Sequence, residues 1–563
     1  MKKQLLFILL MLLPLAASAS RPQKIDGIYY FLSQSDQTAQ VARWTYSERK
    51  YTGDIVIPST VTTKNGAVYN VTSIESNAFA NCTELTSLTI PNSITNIGNK
   101  IVTGCSNLVS IVLEEGNPTY DSRENCNAII ETASNRLTMG CKVTKIPNGI
   151  TTIGISAFQS CVDLTSISIP SSVTTIEKSA FQGCVSLTSI SIPNSVTTIE
   201  ESAFQDCTGL TSIIIPDGVT SLKSGVISGC SGLTSVYLGK GLVKIPNYFF
   251  KGCNNLKTVE INNNTIVSKN YDPNITEEDN LSWLFFDSNI EKVILGEDVT
   301  SIGYRAFFGS TITSLKMTDN IKTIEDYAFM ECSKLTSIEL SNSLTDIGEW
   351  AFWGCGLSSV TIPQSVKCIH LFAFQMCNNL TKVVVNSNEV VARDNEQFYT
   401  LTSCFGKQVK EYVLGEDITK IAFHAFSENN NLTTVTIPQN VTCIEDSAFY
   451  SCCGITDIYC YAEQVPELGK DVFLFSNYTY ATLHVPATSL EAYKAANEWK
   501  DFGNIVALTD EDPKPTAISS IEYAPVATNK AIYDLQGHQL AQPKKGLNII
   551  KMSDGTTKKV IIK

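Results

Sequence analysis

Residues 164–230 read LTSISIPSSVTTIEKSAFQGC, then, after Val185-Ser186, LTSISIPNSVTTIEESAFQDC, then, after Thr208-Gly209, LTSIIIPDGVTSLKSGVISGC. Pro170, Pro193 and Pro216 lie 23 residues apart, and so do Cys161, Cys184, Cys207, Cys230 and Cys253. Self-similarity at a short fixed period marks a solenoid, in which no single unit buries its apolar side alone. That argues against an enzyme fold for the bulk of the chain. It points instead to a long, regular surface for binding.

Leu187–Cys207 serves as the type unit. Leu187, Ile190 and Ile192 give L-x-x-I-x-I, the strand signature of leucine-rich repeats, with these side chains turned inward. Pro193 ends the strand because it has no N–H to give to the next rung. Val196 and Ile199 make a second apolar step. Ala203 and Phe204 set a small and a large residue in the core, and Cys207 closes the turn. The run from Glu200 to Gln205 is long enough for one helical or 3₁₀ turn and too short for a stable helix alone.

The Ala-Phe pair or a degenerate version marks thirteen rungs, at 78–79, 101–102, 157–158, 180–181, 203–204, 226–227, 249–250, 306–307, 328–329, 351–352, 373–374, 425–426 and 448–449. Asp471-Val472-Phe473 is a last, worn copy. At the spacing of hydrogen-bonded strands the body is about 60–70 Å long. A vertical stack of Phe is core. Residues 114–141, 262–294 and 386–413 break the beat. The last two resemble each other, leading into ILGEDVTSIGYRAF and VLGEDITKIAFHAF, so both are expected to be longer rungs. Their aromatics (Trp283, Phe285 and Phe286; Phe398, Tyr399 and Phe405) are expected to tuck onto the core.

Eighteen cysteines would ordinarily suggest a disulfide framework in an exported chain. Here eleven share one slot of the repeat: Cys82, Cys105, Cys161, Cys184, Cys207, Cys230, Cys253, Cys332, Cys355, Cys377 and Cys452. Stacked copies have parallel Cβ vectors, a poor geometry for a bridge. Free buried thiols are expected there, with Asn429 filling the same slot. Cys126/Cys141 and Cys453/Cys460 are the candidate bridges. The four His residues (His370, His424, His484, His538) are scattered, so no zinc site is expected.

Residues 1–19 have the layout of a signal peptide: Lys2-Lys3, an apolar run from Leu5 to Leu15, and Ala17-Ser18-Ala19. That run is too short and too broken by Pro14 to span a bilayer, and no later segment is apolar enough. Residues 20–52 alternate as a β cap for the N-terminal end, and residues 53–486 form the solenoid. Residues 487–508 read as a capping helix with Thr488 or Ser489 at its start and Leu490, Tyr493 and Trp499 buried; LHVP, ending at Pro486, is the expected last strand. A linker (509–530) leads to a small β module (531–563). The net charge of −13 and the lack of any Lys/Arg block argue against nucleic acid.

The phrase LTSIxIPxSVTxIxxxAFxxC over about residues 51–486 resembles the BspA-type leucine-rich repeat family of secreted and surface bacterial proteins. So do the opening IDGIYY…YTGDIVIPSTV and the closing LHVPATSLEAYKAANEWKDFGNIVAL, in the form found in Bacteroidetes. The run IYDLQGHQL…KKGLNIIKM…KKVIIK resembles the C-terminal secretion or sorting domains of that phylum. The resemblance implies a β-rich repeat solenoid with capped ends and a small C-terminal β module. It also implies adhesion to host extracellular-matrix or plasma proteins, or to other bacteria, and it carries no residue-level binding motif.

The candidate ligand face is the outward row of the strands: Thr89, Val112, Ser168, Ser191, Ile214, Tyr237, Glu260, Glu339, Thr361, Val384 and Thr436. Glycan capture for nutrition is the alternative, with Tyr237, Trp283 and Trp353 as aromatic platforms; a structural spacer is a third reading. No catalytic, cofactor or metal residues are expected. Glu200-Glu201 and Glu297-Asp298 sit on polar turns, and the run 272–280 lacks the Gly-centred spacing of a calcium loop. The expected protein is a monomer, exported to the outer surface or beyond, with a protein partner and possible glycan ligands.

Overall fold

The computed structural model describes residues 21–44, 50–246, 249–267, 285, 289–393 and 400–515. It also describes the backbone of the strands Asn529–Tyr533, Gln539–Leu540, Gly546–Met552 and Thr557–Ile562. The leader and the run 272–280 lie outside these residues, as do Trp283, Phe286, Phe398, Tyr399 and His538.

Each repeat makes one turn of a three-sided coil. On the first side the L-x-x-I-x-I segments stack in parallel, Ser212–Ile215 on Ser235–Leu238 on Thr258–Ile261. The second side holds two-residue strands, such as Thr152–Ile153, Thr175–Ile176 and Thr198–Ile199, again parallel and in register. The third side has no strand: it is the tight turn around Ala-Phe. There Phe158 N donates to Ala180 O at 2.7 Å, Phe181 N to Ala203 O at 2.8 Å and Phe204 N to Val226 O at 2.8 Å. Backbone groups are therefore paired between rungs on all three sides, as burial requires.

The Phe residues of successive turns lie over one another. Phe158, Phe181 and Phe204 stack at 5.1 and 5.3 Å with nearly parallel planes. Phe307, Phe329, Phe352 and Phe374 do so at 5.2, 5.0 and 4.8 Å. Both long excursions supply a Phe to this column: Phe285 packs between Phe250 and Phe307, and Phe405 stacks on Phe374 at 5.1 Å. Each excursion also replaces the short second-side strand by a helical turn, Asn264–Val267 and Asn388–Val391. Asn264 and Asn388 perform the same task, accepting the backbone N–H of Thr300 at 2.8 Å and of Thr419 at 3.0 Å. The excursions are full rungs with added chain.

The 114–141 interruption is different. Tyr120–Asp121, Ala128–Glu131 and Arg136–Gly140 pair antiparallel, and the last then joins Thr152–Ile153 in parallel. Gly140 N donates to Ala157 O, so Gly140 holds the place of the Phe in this rung. A Cβ there would meet the Phe158 ring at 2.4 Å. The apolar interior is split at this hairpin, one cluster running from Ile28 to Cys141 and the other from Cys126 to Phe502.

The cysteine column is buried apart from half-buried Cys161, and the thiols are free. Nine of the eleven donate to the carbonyl of the core residue one rung back, among them Cys184 to Phe158 at 3.1 Å, Cys207 to Phe181 at 3.1 Å, Cys230 to Phe204 at 3.0 Å and Cys355 to Phe329 at 3.1 Å. Asn429 fills the slot with an amide that donates to Val409 O at 3.0 Å, and the Phe405 carbonyl is met instead by Gln408 Nε2 at 2.6 Å. Burial pushes the thiols of Cys207 and Cys377 up to about 12 and that of Cys253 up to about 11. Neither candidate bridge is formed. Cys126 and Cys141 bond to separate carbonyls, Ala128 O and Asn127 O. Cys453 is exposed, whereas Cys460 lies under the C-terminal helix with its Sγ 3.2 Å from Tyr493 Oη.

The strands Gln23–Ile25, Ile28–Ser33 and Thr38–Val41 close the N-terminal end. Tyr51 fastens them: its hydroxyl accepts from Tyr29 N and donates to Ala42 O, both at 3.0 Å. At the other end the helix is only Leu490–Ala495, followed by a 3₁₀ turn at Trp499–Asp501. Tyr493 and Trp499 are buried as expected, and Leu490 is partly so. Ser489 caps by position, but its hydroxyl donates to Glu463 O. The expected last strand is not the last: Asn504–Ala507 adds one further rung against Thr482–Val485. The C-terminal segment forms its own antiparallel sheet, with Asn529–Tyr533 between Gln539–Leu540 and Gly546–Met552.

Phe204→Ala opens a gap in the middle of the column and is expected to cost about 3–5 kcal/mol in urea unfolding. Gly140→Ala forces Phe158 aside and is expected to cost about 1–3 kcal/mol by the same measurement. With a coloured disulfide reagent at mildly alkaline pH, Cys453 should react at once. The column should react only after denaturant is added, because the thiolate is the reactive form.

Candidate functional site

The outward positions of the strand side form one row, fixed by the parallel register. Ile214 lies beside Tyr237, Tyr237 beside Glu260, Glu260 beside Ile294 and Ile294 beside Lys316. Farther along come Thr361, Val384, Val413, Thr436, Tyr459 and His484, then Val506. Val56, Thr89 and Val112 form the N-terminal section. Ser168 and Ser191 meet through a single isolated bridge, and Glu339 lies on a rung without a strand.

The row expected from sequence is thus incomplete. Ile294 and Val413 were missed because they follow the excursions, although the shared L-G-E-D that comes next marks the register; Lys316, on the rung after Ile294, was missed with it. Val56, Tyr459, His484 and Val506 belong to the end rungs.

One expected member is not on an accessible face. Thr436 is fully buried, and its neighbour Val413 nearly so. The chain leaving Asn504–Ala507 turns back over this end of the row. Thr509 N donates to Asp512 Oδ2 at 2.6 Å, and the Tyr461 hydroxyl donates to Pro513 O at 3.2 Å. Asp512 Oδ1 lies 4.0 Å from His484 Nδ1, and Pro515 is buried. His484 in turn stacks on Tyr459 at 4.2 Å and meets Asp457 through Nε2 at 3.1 Å. Repeat position alone did not reveal this cover, because it comes from chain outside the repeat.

The open part of the row changes character along its length. Thr89, Ser168, Ser191 and Thr361 offer hydroxyls, while Ile214 and Val112 expose 58% and 47% of their surface. Tyr237 is half-buried, and burial, opposed by a hydrogen bond from Asn262, pushes its hydroxyl up. Beside Tyr237 the face dips into a groove of about 540 Å³. Glu260, Lys316 and Glu339 from the row line it together with Glu297 and Asp319 from the following turns.

Trp353 faces the turn side, half-buried, 5.9 Å from Trp350. The paired carboxylates lie on polar turns beside lysines: Glu201 is 2.7 Å from Lys178 and Asp298 is 3.6 Å from Lys240. Among the described residues no group of three or more His, Cys, Asp or Glu side chains gathers to hold a metal ion. No helix among them is long and apolar enough to cross a membrane.

A family described as "BspA type Leucine rich repeat region" matches in six copies, over residues 62–184, 130–257, 174–312, 300–404 and 399–498. No curated protein matches the chain significantly. Among solved structures, a leucine-rich repeat protein from Bacteroides ovatus is 22% identical, covering 88% of this chain and 100% of its own, with a TM-score of 0.25. A leucine-rich cell surface protein from Faecalibacterium prausnitzii is 21% identical over 79% of this chain and 96% of its own, TM-score 0.28. The pneumococcal vaccine antigen PcpA is 16% identical over 87% and 98%, TM-score 0.26. With its repeat matched from residue 62 to 498 and wound as a three-sided coil, this chain belongs to the BspA-type leucine-rich repeat family.

Proposed function

We propose that this protein is exported to the cell surface or beyond and acts there as an adhesin. Its strand face grips a host matrix or plasma protein, or a protein on another bacterium. The observation that carries this reading is the open row from Ser168 to Val384, which sets exposed Ile214 and half-buried Tyr237 beside a charged groove. An apolar anchor ringed by hydroxyls and charges is the anatomy of a protein-binding patch. A solenoid also presents such a patch rigidly, which limits the ordering cost of binding. The signal-like leader and the C-terminal β module supply export and sorting in this reading. The family and the surface protein among the similar structures lend it support.

Ile214→Asp with Tyr237→Asp is the direct test. Both side chains face outward from strands whose inward partners, Ile213, Ile215, Val236 and Leu238, stay in the core. On arrays of matrix proteins, plasma proteins and glycans, the natural protein should bind a protein target. The double variant should lose about 30-fold or more in affinity at an unchanged melting temperature. Binding to glycans alone, or unchanged affinity in the variant, would sink the assignment.

A further inference from the structure

The turn side carries a second surface, unrelated to the strand row. In the Ala-Phe turns among the described residues, the residue just before Ala or its counterpart adopts a left-handed backbone conformation. In the N-terminal rungs that position holds Asn77, Lys100, Ser156, Ser179, Ser202 and Gly225. Toward the C-terminus it holds Ser447 and Asp471. Between them it holds Arg305 (φ 53), Tyr327 (φ 59), Trp350 (φ 59), Phe372 (φ 62) and His424 (φ 54). Bulky side chains in this region are genuine outliers, and the neighbouring turns prove that the coil does not need them. The left-handed backbone is common to these turns, so what sets this stretch apart is the bulk and chemistry of the side chains placed on it, which points to a use for them.

Those side chains form a continuous band. Tyr304 lies 5.5 Å from Tyr327, Tyr327 6.2 Å from Trp350, and Trp350 5.2 Å from Phe372. The position after the core Phe changes in the same rungs. It is Gln159, Gln182 and Gln205 earlier, with Gln159 donating to Gln182 at 2.8 Å, but Phe308, Met330 and Trp353 in the first three rungs here, the fourth keeping Gln375. The Arg305 guanidinium sits 5.2–5.4 Å from the rings of Tyr304, Phe308 and Tyr327, and its Nε is buried without a hydrogen-bond partner. Met376, also left-handed, is 51% exposed.

We propose that this band, from Tyr304 to Met376, is a second protein-docking surface, for a partner segment that presents Lys or Arg beside an apolar side chain. Trp, Tyr, Phe, Met and Arg are the residues enriched at the centres of protein interfaces, and they are gathered here across four rungs. The rim is acidic: Glu325, Asp326, Glu331 and Glu349 flank the rings, and Glu349 holds the Trp350 indole N–H at 2.8 Å. Burial, then the carboxylates of Asp326 and Asp346, push Glu325 up, and a cation placed there would relieve that repulsion. The half-buried rings also offer faces to a cation. A second copy of this chain is a poor match, because like acidic rims would meet in a protein already at −13.

The test uses the full chain and a library of short peptides carrying Arg or Lys with aromatic or aliphatic residues, alongside an acidic library and neutral oligosaccharides. Basic members should bind, more weakly at high salt, with a change in tryptophan fluorescence. Tyr327→Ser, Trp350→Ser and Phe372→Ser together restore the serine of the earlier turns. This variant should lose about tenfold or more in affinity by calorimetry while its melting temperature holds or rises. Glu331→Lys, on the exposed rim, should weaken the same peptides several-fold and leaves the rings in place. The proposal is overturned if basic peptides fail to bind or both variants bind them unchanged. It is equally overturned if oligosaccharides bind in their place, if the rings mediate self-association, or if the triple variant melts at a lower temperature, which would make the rings structural.

Discussion

Each turn must place its large core side chain directly over the one below, and the remaining structure follows from that requirement. Stacked rings about 5 Å apart leave no space for a rung of the wrong length. Extra chain must therefore leave the coil and return in phase. The two long excursions show the rule: however much chain lies between their strands, Phe285 and Phe405 return to the column. The hairpin shows what happens when no Phe returns. Gly140 leaves a vacancy, Phe158 fills it, and the apolar interior divides there. Most of the thiols serve the same stack from behind, satisfying core carbonyls that the tight turn turns inward. A small, weakly polar group suits that task, which explains why Cys recurs without pairing.

Much of this was legible in the residues because inward positions answer to one constraint repeated many times. Leu187, Val196, Ile199, Phe204 and Cys207 could each be placed from a single unit, and all are fully buried. What escaped was whatever a single unit does not determine. The strand Asn504–Ala507 has no repeat phrase and forms only because Thr482–Val485 offers an unpaired edge. The helix is shorter than its amphipathic pattern suggests, since Ala496 turns to an extended conformation and Trp499 must reach back to Pro466 O. Thr436 is buried at the end of the row where chain some 75 residues farther on returns to meet Tyr461 and His484. Position in the repeat says which way a side chain points, and tertiary cover decides whether solvent reaches it.

Outward positions are released from the stacking rule, so departures from the repeat carry more information about function than the repeat does. On the strand side the most regular phrases, around Ser168 and Ser191, make only an isolated bridge. The irregular Ile214, Tyr237 and Glu260 give complete ladders and the apolar anchor. On the turn side the regular rungs place Ser at the left-handed position, and the irregular ones place the aromatic band there. Both departures were visible as residue types at fixed positions. Their meaning required the backbone angle in one case and the register in the other.

Geometry also limits what the strand face can hold. Toward the N-terminus the hairpin interrupts the row between Val112 and Ser168, and toward the C-terminus Val413 and Thr436 are buried, near where the returning tail meets Tyr461 and His484. The uninterrupted section from Ser168 to Val384 spans ten outward positions, or about 43 Å at the spacing of paired strands. A standard protein interface covers about 800 Å² on each partner, a patch about 28 Å across. The section therefore has length to spare for one globular domain and suits an extended segment equally well. Its apolar anchor at Ile214 is one rung from half-buried Tyr237 and two from the groove at Glu260. A partner seated on Ile214 would reach the charged groove without leaving the face, so apolar affinity and charge selectivity would act on the same bound segment.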